Sequence, residues 1–410
     1  MKRVVVTGMG AISPVGNDVD SLWQSLLAGR HGFGPITRFD PKDMKVKLAA
    51  EVKDFQPEQY IEKNQIRRMD LFAQYGVAAA VQSVEDSRIF GAVDPERFGV
   101  YIGSGVGGIS TFLKEAEVLF TRGPSRISPF FIPMMIINMA SALVAMRFDA
   151  KGPSLPVVSA CSSGTNAIGE AFRAIKVGAA DAIITGGAEA CINPLAIGGF
   201  TNCQALTTRE DPDSISIPFD QRRDGFVIGE GAGVLVLEEL EHAKARGAQI
   251  YAEVVGYGNT NDAYHITAPD PSASGSAAMI RQAFAEAGLT ADAQTYVNAH
   301  GTSTPLNDKT ETLALKKALG DAAYQVHISS TKSMTGHMLG AAGGVEAIAA
   351  IKVLNSNKVV PTIGYTTPDP ECDLDYTPNQ VVETPINKAL STSLGFGGHN
   401  AGVLFAELED

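Results

Sequence analysis

Basic charge is scarce in this chain. Lys and Arg number 33 against 45 Asp and Glu, a formal net charge of −12. A nucleic-acid binder carries the opposite balance, so that class is disfavoured; an acidic partner stays open if local basic patches exist. Cysteine is sparse too: Cys161, Cys191, Cys203 and Cys372, with no CxxC pair and no regular framework. Neither a zinc site nor a disulfide scaffold is suggested, and a reduced, intracellular (cytoplasmic) compartment fits. No apolar run is long enough to span a bilayer, and the opening Met1-Lys2-Arg3 leads straight into a short strand-like run, too short for a signal peptide. No HExxH, Walker or paired-carboxylate motif appears, so no metal chemistry is expected. No low-complexity segment or long linker interrupts the chain.

What is abundant is material for a core. Of 410 residues 45% are hydrophobic and 42 are glycine, enough for two domains or two fused halves with tight strand–helix packing. Strand-like runs at Val4–Thr7, Phe98–Ile102, Leu155–Ser159, Ala182–Thr185 and Val234–Leu237 alternate with helical patterns such as Asp70–Glu85 and Gly169–Val177. After a charged helix at Glu238–Arg246 a second series begins: Ala252–Val255, Thr295–Asn298, Val326–Ser329, Lys358–Pro361, Lys388–Ser391 and Gly402–Ala406. The alternation predicts an α/β fold. Pro156–Lys176 and Val326–Lys352 both read strand, small polar turn, helix ending Ala-Ile-Lys, a faint echo consistent with a duplicated unit joined near residue 250. The expected halves are 1–250 and 251–410. Residues 30–65 are less regular and are expected to decorate the first half.

Cys161 sits where an apolar run (Leu155, Val157, Val158) meets small residues, Ser-Ala-Cys-Ser-Ser-Gly, before a helical pattern through Ile168, Ala171, Phe172 and Ile175. A thiol at such an elbow lies at a helix N-terminus, which favours its anion, the attacking form. It reads either as a nucleophile or as a buried, inert cysteine. His300, in Asn298-Ala299-His300-Gly301-Thr302-Ser303-Thr304, and His337, in Lys332-Ser333-Met334-Thr335-Gly336-His337, each follow a strand and open a polar turn. Either alone reads best as structural; two of them with an elbow cysteine favour a site. The tail Leu394-Gly395-Phe396-Gly397-Gly398-His399-Asn400 reads as an oxyanion-hole loop or as an ordinary hairpin turn, with His399 structural. Gly8-Met9-Gly10 lacks the third glycine of a dinucleotide fingerprint, and Gly229-Glu230-Gly231-Ala232-Gly233 precedes a strand rather than a helix, so both are discounted as phosphate cradles.

Cys161, His300 and His337 in this order, with Lys332, the Asp224-Gly225-Phe226-Val227-Ile228-Gly229-Glu230-Gly231 stretch and the glycine-rich tail, resemble the β-ketoacyl-[acyl-carrier-protein] synthases, nearest the KAS II type, over essentially the whole chain. The resemblance implies a thiolase-like fold, two pseudo-duplicated halves in a five-layered αβαβα arrangement, and usually a homodimer. It implies that Cys161 takes an acyl chain from carrier phosphopantetheine, and that a carbanion from malonyl carrier attacks it to give 3-oxoacyl carrier and CO2. His300 and His337 would hold the enolate, backbone N–H of Cys161 and Phe396 the oxyanion, Lys332 the charge balance near Glu346, and Thr302 and Thr304 the pantetheine arm. Phe200 and Phe396 match gating aromatics, and Val106 falls at the acyl pocket. No cofactor is implied beyond the carrier's pantetheine. For docking an acidic acyl carrier protein, Lys63, Arg67, Arg68, Arg122, Arg126 and Arg209 are candidates, each equally readable as solvated charge. A type II polyketide ketosynthase and a non-catalytic chain-length partner subunit are the alternatives; a degradative thiolase would need a cysteine where Phe396 stands, and a Cys–His hydrolase would need a water-activating acid.

Overall fold

A computed structural model describes residues 1–409. Ten strands build one mixed sheet: β1 (Val4–Ile12), β2 (Phe98–Gly103), β3 (Ser154–Val157), β4 (Ala182–Glu189), β5 (Gly231–Glu239), β6 (Ala252–Asn261), β7 (Thr295–Asn298), β8 (His327–Ser329), β9 (Lys388–Gly395) and β10 (His399–Ala406). Their spatial order is β3-β2-β4-β5-β1-β6-β10-β9-β7-β8. Read outward from the centre, each half repeats the other. The first strand of each half pairs antiparallel with its fifth, the fifth antiparallel with its fourth, the fourth parallel with its second, and the second parallel with its third. The halves meet along a short seam, Val4–Val6 of β1 against Ala252–Val254 of β6. The echo between Pro156–Lys176 and Val326–Lys352 has a physical meaning: both segments are third strand and following helix of their half.

The principal helices are α1 (Leu71–Ser87), α2 (Ile109–Arg122), α3 (Ser163–Lys176), α4 (Pro194–Asn202), α5 (Ser274–Ala287), α6 (Pro305–Leu319) and α7 (Ala342–Ser356). Helices α3 and α7 pack on each other and on strands of both halves, so the sheet folds around them. Helix α1 covers the outer face of the first half, and α5 with α6 the outer face of the second. The five layers of a thiolase-like fold follow. Helix α7 is apolar on nearly every side, as a helix enclosed by two sheet faces must be. Each of its buried Val, Ile and Leu side chains contributes about 1.5–3 kcal/mol.

Two glycine clusters explain this closeness. A Cβ on Gly8 or Gly10 would lie 2.1 Å from Ser83 O or 2.0 Å from Ala79 O, so α1 rests directly on the β1 backbone. A Cβ on Gly233 would lie 2.2 Å from Val345 N, the same device for α7 on β5. Ten of the eleven expected strand runs enter the sheet. The exception is Lys358–Pro361: Lys358–Val359 pairs only with Val382–Glu383 in a separate two-stranded ribbon. It is apolar enough for a strand, but α7 ends only at Ser356 and hands it to a connection outside the sheet.

Candidate active site

Cys161 stands in a single tight turn, Ala160–Ser162, between β3 and α3. Ala160 before it has φ of +51°, a conformation a non-glycine residue adopts only when its surroundings enforce it. Here Ser163 Oγ donates to Ala160 O (2.7 Å) and accepts from Ser159 N–H (2.9 Å), locking the elbow. His300 lies just beyond β7, and its own N–H donates to Glu311 of α6 at 2.7 Å. His337 follows a one-turn helix, Lys332–Thr335; its N–H donates to Val227 O at 2.7 Å and its carbonyl accepts from Gly229 N–H at 2.9 Å. Phe396 occupies the hairpin between β9 and β10, where Gly397 and Gly398 have φ of +86° and +77°. That stretch is therefore both a hairpin turn and part of the site.

Cys161, His300, His337 and Phe396 all line one cavity of about 480 Å³, together with Phe200, Thr302 and Thr304. The two imidazole rings meet edge to face with centroids 5.1 Å apart, and Phe226 packs edge-on against His337 at 5.1 Å. Phe200 touches both Phe226 and Phe396, with centroids 5.6 and 6.3 Å away, so the aromatics form one wall. Nδ1 of each histidine is buried without a partner, which leaves Nε2 as the ring nitrogen for a ligand. Burial holds both imidazoles well below the ordinary histidine value, and the Lys332 ammonium adds to this. Both rings are neutral at pH 7, the state in which an imidazole donates an N–H and keeps it.

The sulfur corrects one expectation. Burial pushes the Cys161 thiol up to about 12, and Glu189 acts in the same direction. Lys332 and the backbone N–H groups of Phe396 and Cys161 pull it down without overcoming desolvation. The helix N-terminus was expected to yield a thiolate; burial favours the thiol instead, because desolvation disfavours charge at this depth. Those same two N–H groups both point at the sulfur.

Lys332 is 1% exposed and paired with the equally buried Glu346 of α7, so it is no solvated lysine. Removing one member of such a pair costs about 3–5 kcal/mol. Thr302 and Thr304 face each other, hydroxyls 2.9 Å apart. Val106 does not line the cavity; it packs behind it, against the apolar cluster that holds Cys161. The basic candidates lie elsewhere. Lys63, Arg67 and Arg68 rim a shallow surface hollow with Phe130, where the Arg68 guanidinium lies 4.8 Å from the ring centre. Arg122 and Arg126 are exposed at the end of α2. Arg209 is tied to Asp224 (3.1 Å) on the cavity wall and to the carbonyl of Arg222, which neutralises much of its charge.

Several site groups escaped the sequence reading. Glu311 accepts from the N–H groups of His300 and Gly301, both at 2.7 Å, and burial raises its carboxyl to about 7. Glu189, at the end of β4, accepts from the N–H groups of Gly105, Val106, Gly107 and Gly340 and from the Ser104 hydroxyl. A carboxylate closing a buried apolar run was the one available signal for Glu189; for Glu311, in the middle of a helix, there was none.

The beta-ketoacyl synthase N-terminal domain family matches residues 1–243 and the C-terminal domain family residues 251–366. The chain belongs to the β-ketoacyl synthase family. More particularly, it is 51% identical over 410 residues to the 3-oxoacyl-[acyl-carrier-protein] synthase 2 of Synechocystis sp., covering 100% of this chain and 99% of that one. It is 51% identical over 409 residues to the enzyme of the same name from Staphylococcus aureus, with the same coverage. A ketosynthase of a type II polyketide system, solved in complex with its acyl-carrier protein and bound to a hexaketide, superimposes with a TM-score of 0.91 at 34% identity, each chain covered in full.

Proposed function

We propose that this chain elongates fatty acids by decarboxylative condensation, joining an acyl group held on Cys161 to malonyl-acyl-carrier-protein and releasing 3-oxoacyl carrier and CO2. The observation that carries the reading is one buried thiol sharing a single cavity with two uncharged imidazoles.

In the first half-reaction Cys161 sulfur attacks the thioester carbonyl of the acyl carrier. The N–H groups of Cys161 and Phe396 stabilise the oxyanion. The C–S bond to pantetheine breaks, and the thiol proton of Cys161 leaves with the pantetheine sulfur. No free thiolate is needed in the resting enzyme, because proton and acyl group exchange places. In the second half-reaction the malonyl C–C bond to the carboxylate breaks, and its electron pair becomes an enolate. His300 and His337 donate N–H bonds to the enolate oxygen. The enolate carbon attacks the Cys161 thioester, the C–S bond breaks, and one proton from water restores the thiol. A charged imidazolium would give its proton to the enolate and quench it; desolvation prevents that.

Phe200 and Phe396 close the acyl side of the cavity, and Thr302 and Thr304 bond the pantetheine arm. Val106 limits acyl depth from behind, worth about 1–3 kcal/mol of discrimination. No cofactor takes part beyond the carrier's own pantetheine. The partner is an acyl carrier protein, with Lys63, Arg67, Arg68, Arg122, Arg126 and Arg209 as its docking candidates; the first three share a patch with an exposed aromatic, which supports them most. A homodimer is supported by the edge strand β3, whose flank exposes Leu155 at 52% and Val158 at 53%. The two halves, 1–250 and 251–410, carry the nucleophile and the histidines respectively. The compartment proposed is the cytoplasm; no helix among the described residues is long and apolar enough to cross a membrane.

A polyketide ketosynthase is the second reading, favoured by the 34% identity to the hexaketide-bound enzyme. The 51% identical relatives named 3-oxoacyl-[acyl-carrier-protein] synthase 2 outweigh it. Incubation with acyl carriers of graded length and malonyl carrier, with products identified by mass, tests the choice. Single two-carbon extensions of saturated chains are expected; unreduced poly-β-keto products would overturn the fatty acid reading.

A further inference from the structure

Thr304 is the N-cap of α6, with extended backbone (φ −95°, ψ 142°), yet its hydroxyl makes no capping bond. An N-cap threonine ordinarily turns its oxygen onto the N–H groups of the first helical turn. This one faces Thr302 at 2.9 Å and lines the cavity. Something else must hold the turn. Arg223, 7% exposed, reaches the turn from the strap that precedes β5. Its guanidinium donates to the carbonyls of Thr304 (3.3 Å), Pro305 (3.1 Å) and Asp220 (3.0 Å). It pairs with Asp369 at 2.6 Å and lies 3.6 Å from the fully buried Asp308 on α6. Asp308 in turn accepts from Phe219 N–H at 2.8 Å. Ser303 is gripped from the same strap: Ile217 N–H donates to its hydroxyl and Gly225 N–H to its carbonyl, both at 3.0 Å.

We propose that Arg223 is a positioning residue for substrate binding: by donating to the Thr304 and Pro305 carbonyls it fixes the backbone from which the uncapped Thr304 hydroxyl faces the pantetheine arm. The assignment rests on the pantetheine reading given above. A guanidinium suits the task because five donors in a rigid plane serve three carbonyls and a carboxylate at once; a lysine ammonium cannot. Arg223 touches no reacting atom.

The test is a double-mutant cycle. Arg223→Lys is expected to raise KM about tenfold for both malonyl carrier and carrier-free malonyl pantetheine, with kcat little changed, the pattern of lost uniform binding. The rate of Cys161 alkylation by iodoacetamide should stay at the wild-type value, which separates this effect from a collapsed site. If Arg223 acts through Thr304, adding Arg223→Lys to Thr304→Val should raise KM no further than Thr304→Val does alone. Should Arg223→Lys fail to fold, Asp369→Asn serves, with about a threefold rise expected on the same logic. An unchanged KM in the folded variant, or penalties that multiply, overturns the role of Arg223. A wild-type enzyme that does not condense malonyl carrier at all overturns the functional reading, and this assignment with it.

Discussion

The segment from β3 into α3 and the segment from β8 into α7 hold the same place in their two halves, and they were put to opposite uses. In the first, residues 158–162 make a short passage and leave a sulfur on the elbow. In the second, residues 330–341 are a longer excursion that carries Lys332, His337 and Gly340. The helices behind them, α3 and α7, pack on each other, so both passages open into one cavity. On the proposed mechanism, a duplicated scaffold brings unlike chemistry together: a nucleophile from one copy, enolate-stabilising groups from the other. It also makes the two partial reactions separable by mutation.

Cys161→Ser is the sharpest way to break the comparison. Condensation should fall by about 10⁴-fold or more, while release of CO2 from malonyl carrier survives, because the second half's groups are untouched. Normal condensation by that variant would end the nucleophile assignment. His300→Ala and His337→Ala should each slow malonyl decarboxylation by about 10²–10³-fold and leave Cys161 acylation measurable; decarboxylation at the wild-type rate in either variant removes that ring from the enolate site. Lys332→Met crosses between the halves. It strands Glu346 in the core at about 3–5 kcal/mol, readable as a lowered Tm, and it takes away the ammonium that pulls the Cys161 thiol down.

The pH dependence follows from the same sulfur. A thiol that burial pushes up to about 12 should be alkylated by iodoacetamide at a rate that climbs with each pH unit from 7 to 9 and reaches no plateau. A plateau below pH 8 would mean a preformed thiolate and restore the helix N-terminus as the stronger influence. The smallest effect is expected at the surface: reversing charge at Arg67 and Arg68 should raise the carrier KM several-fold and flatten its salt dependence, with carrier-free pantetheine substrates unaffected.

Most strands were legible in the chain because an enclosed sheet demands apolar runs between breakers, and every strand of the sheet has one. Helix α3 starts at Ser163, where the elbow reading placed a helix N-terminus; the periodic run from Gly169 covers only its later part, since the first turn is buried by the site and shows no amphipathic face. Lys358–Val359 shows the reverse error: apolar character without a place in the sheet. Cys161, His300, His337 and the glycine tail stood out because each interrupts a strand end with small or polar residues. Glu189, Glu311 and Arg223 did not, because their work is to accept or donate to backbone groups far away in the chain, and no spacing announces that.

What the order of residues determined alone is the repeated α/β alternation, the elbow thiol and the two strand-end histidines, all of which depend on local pattern. What only the folded chain decided is their state. Whether a helix N-terminus or desolvation governs a thiol depends on how much water reaches it, and that is set by Phe396 and the aromatic wall beside Cys161, brought from distant parts of the chain. Charge is governed by the surroundings in three dimensions, and those exist only after the two halves have met.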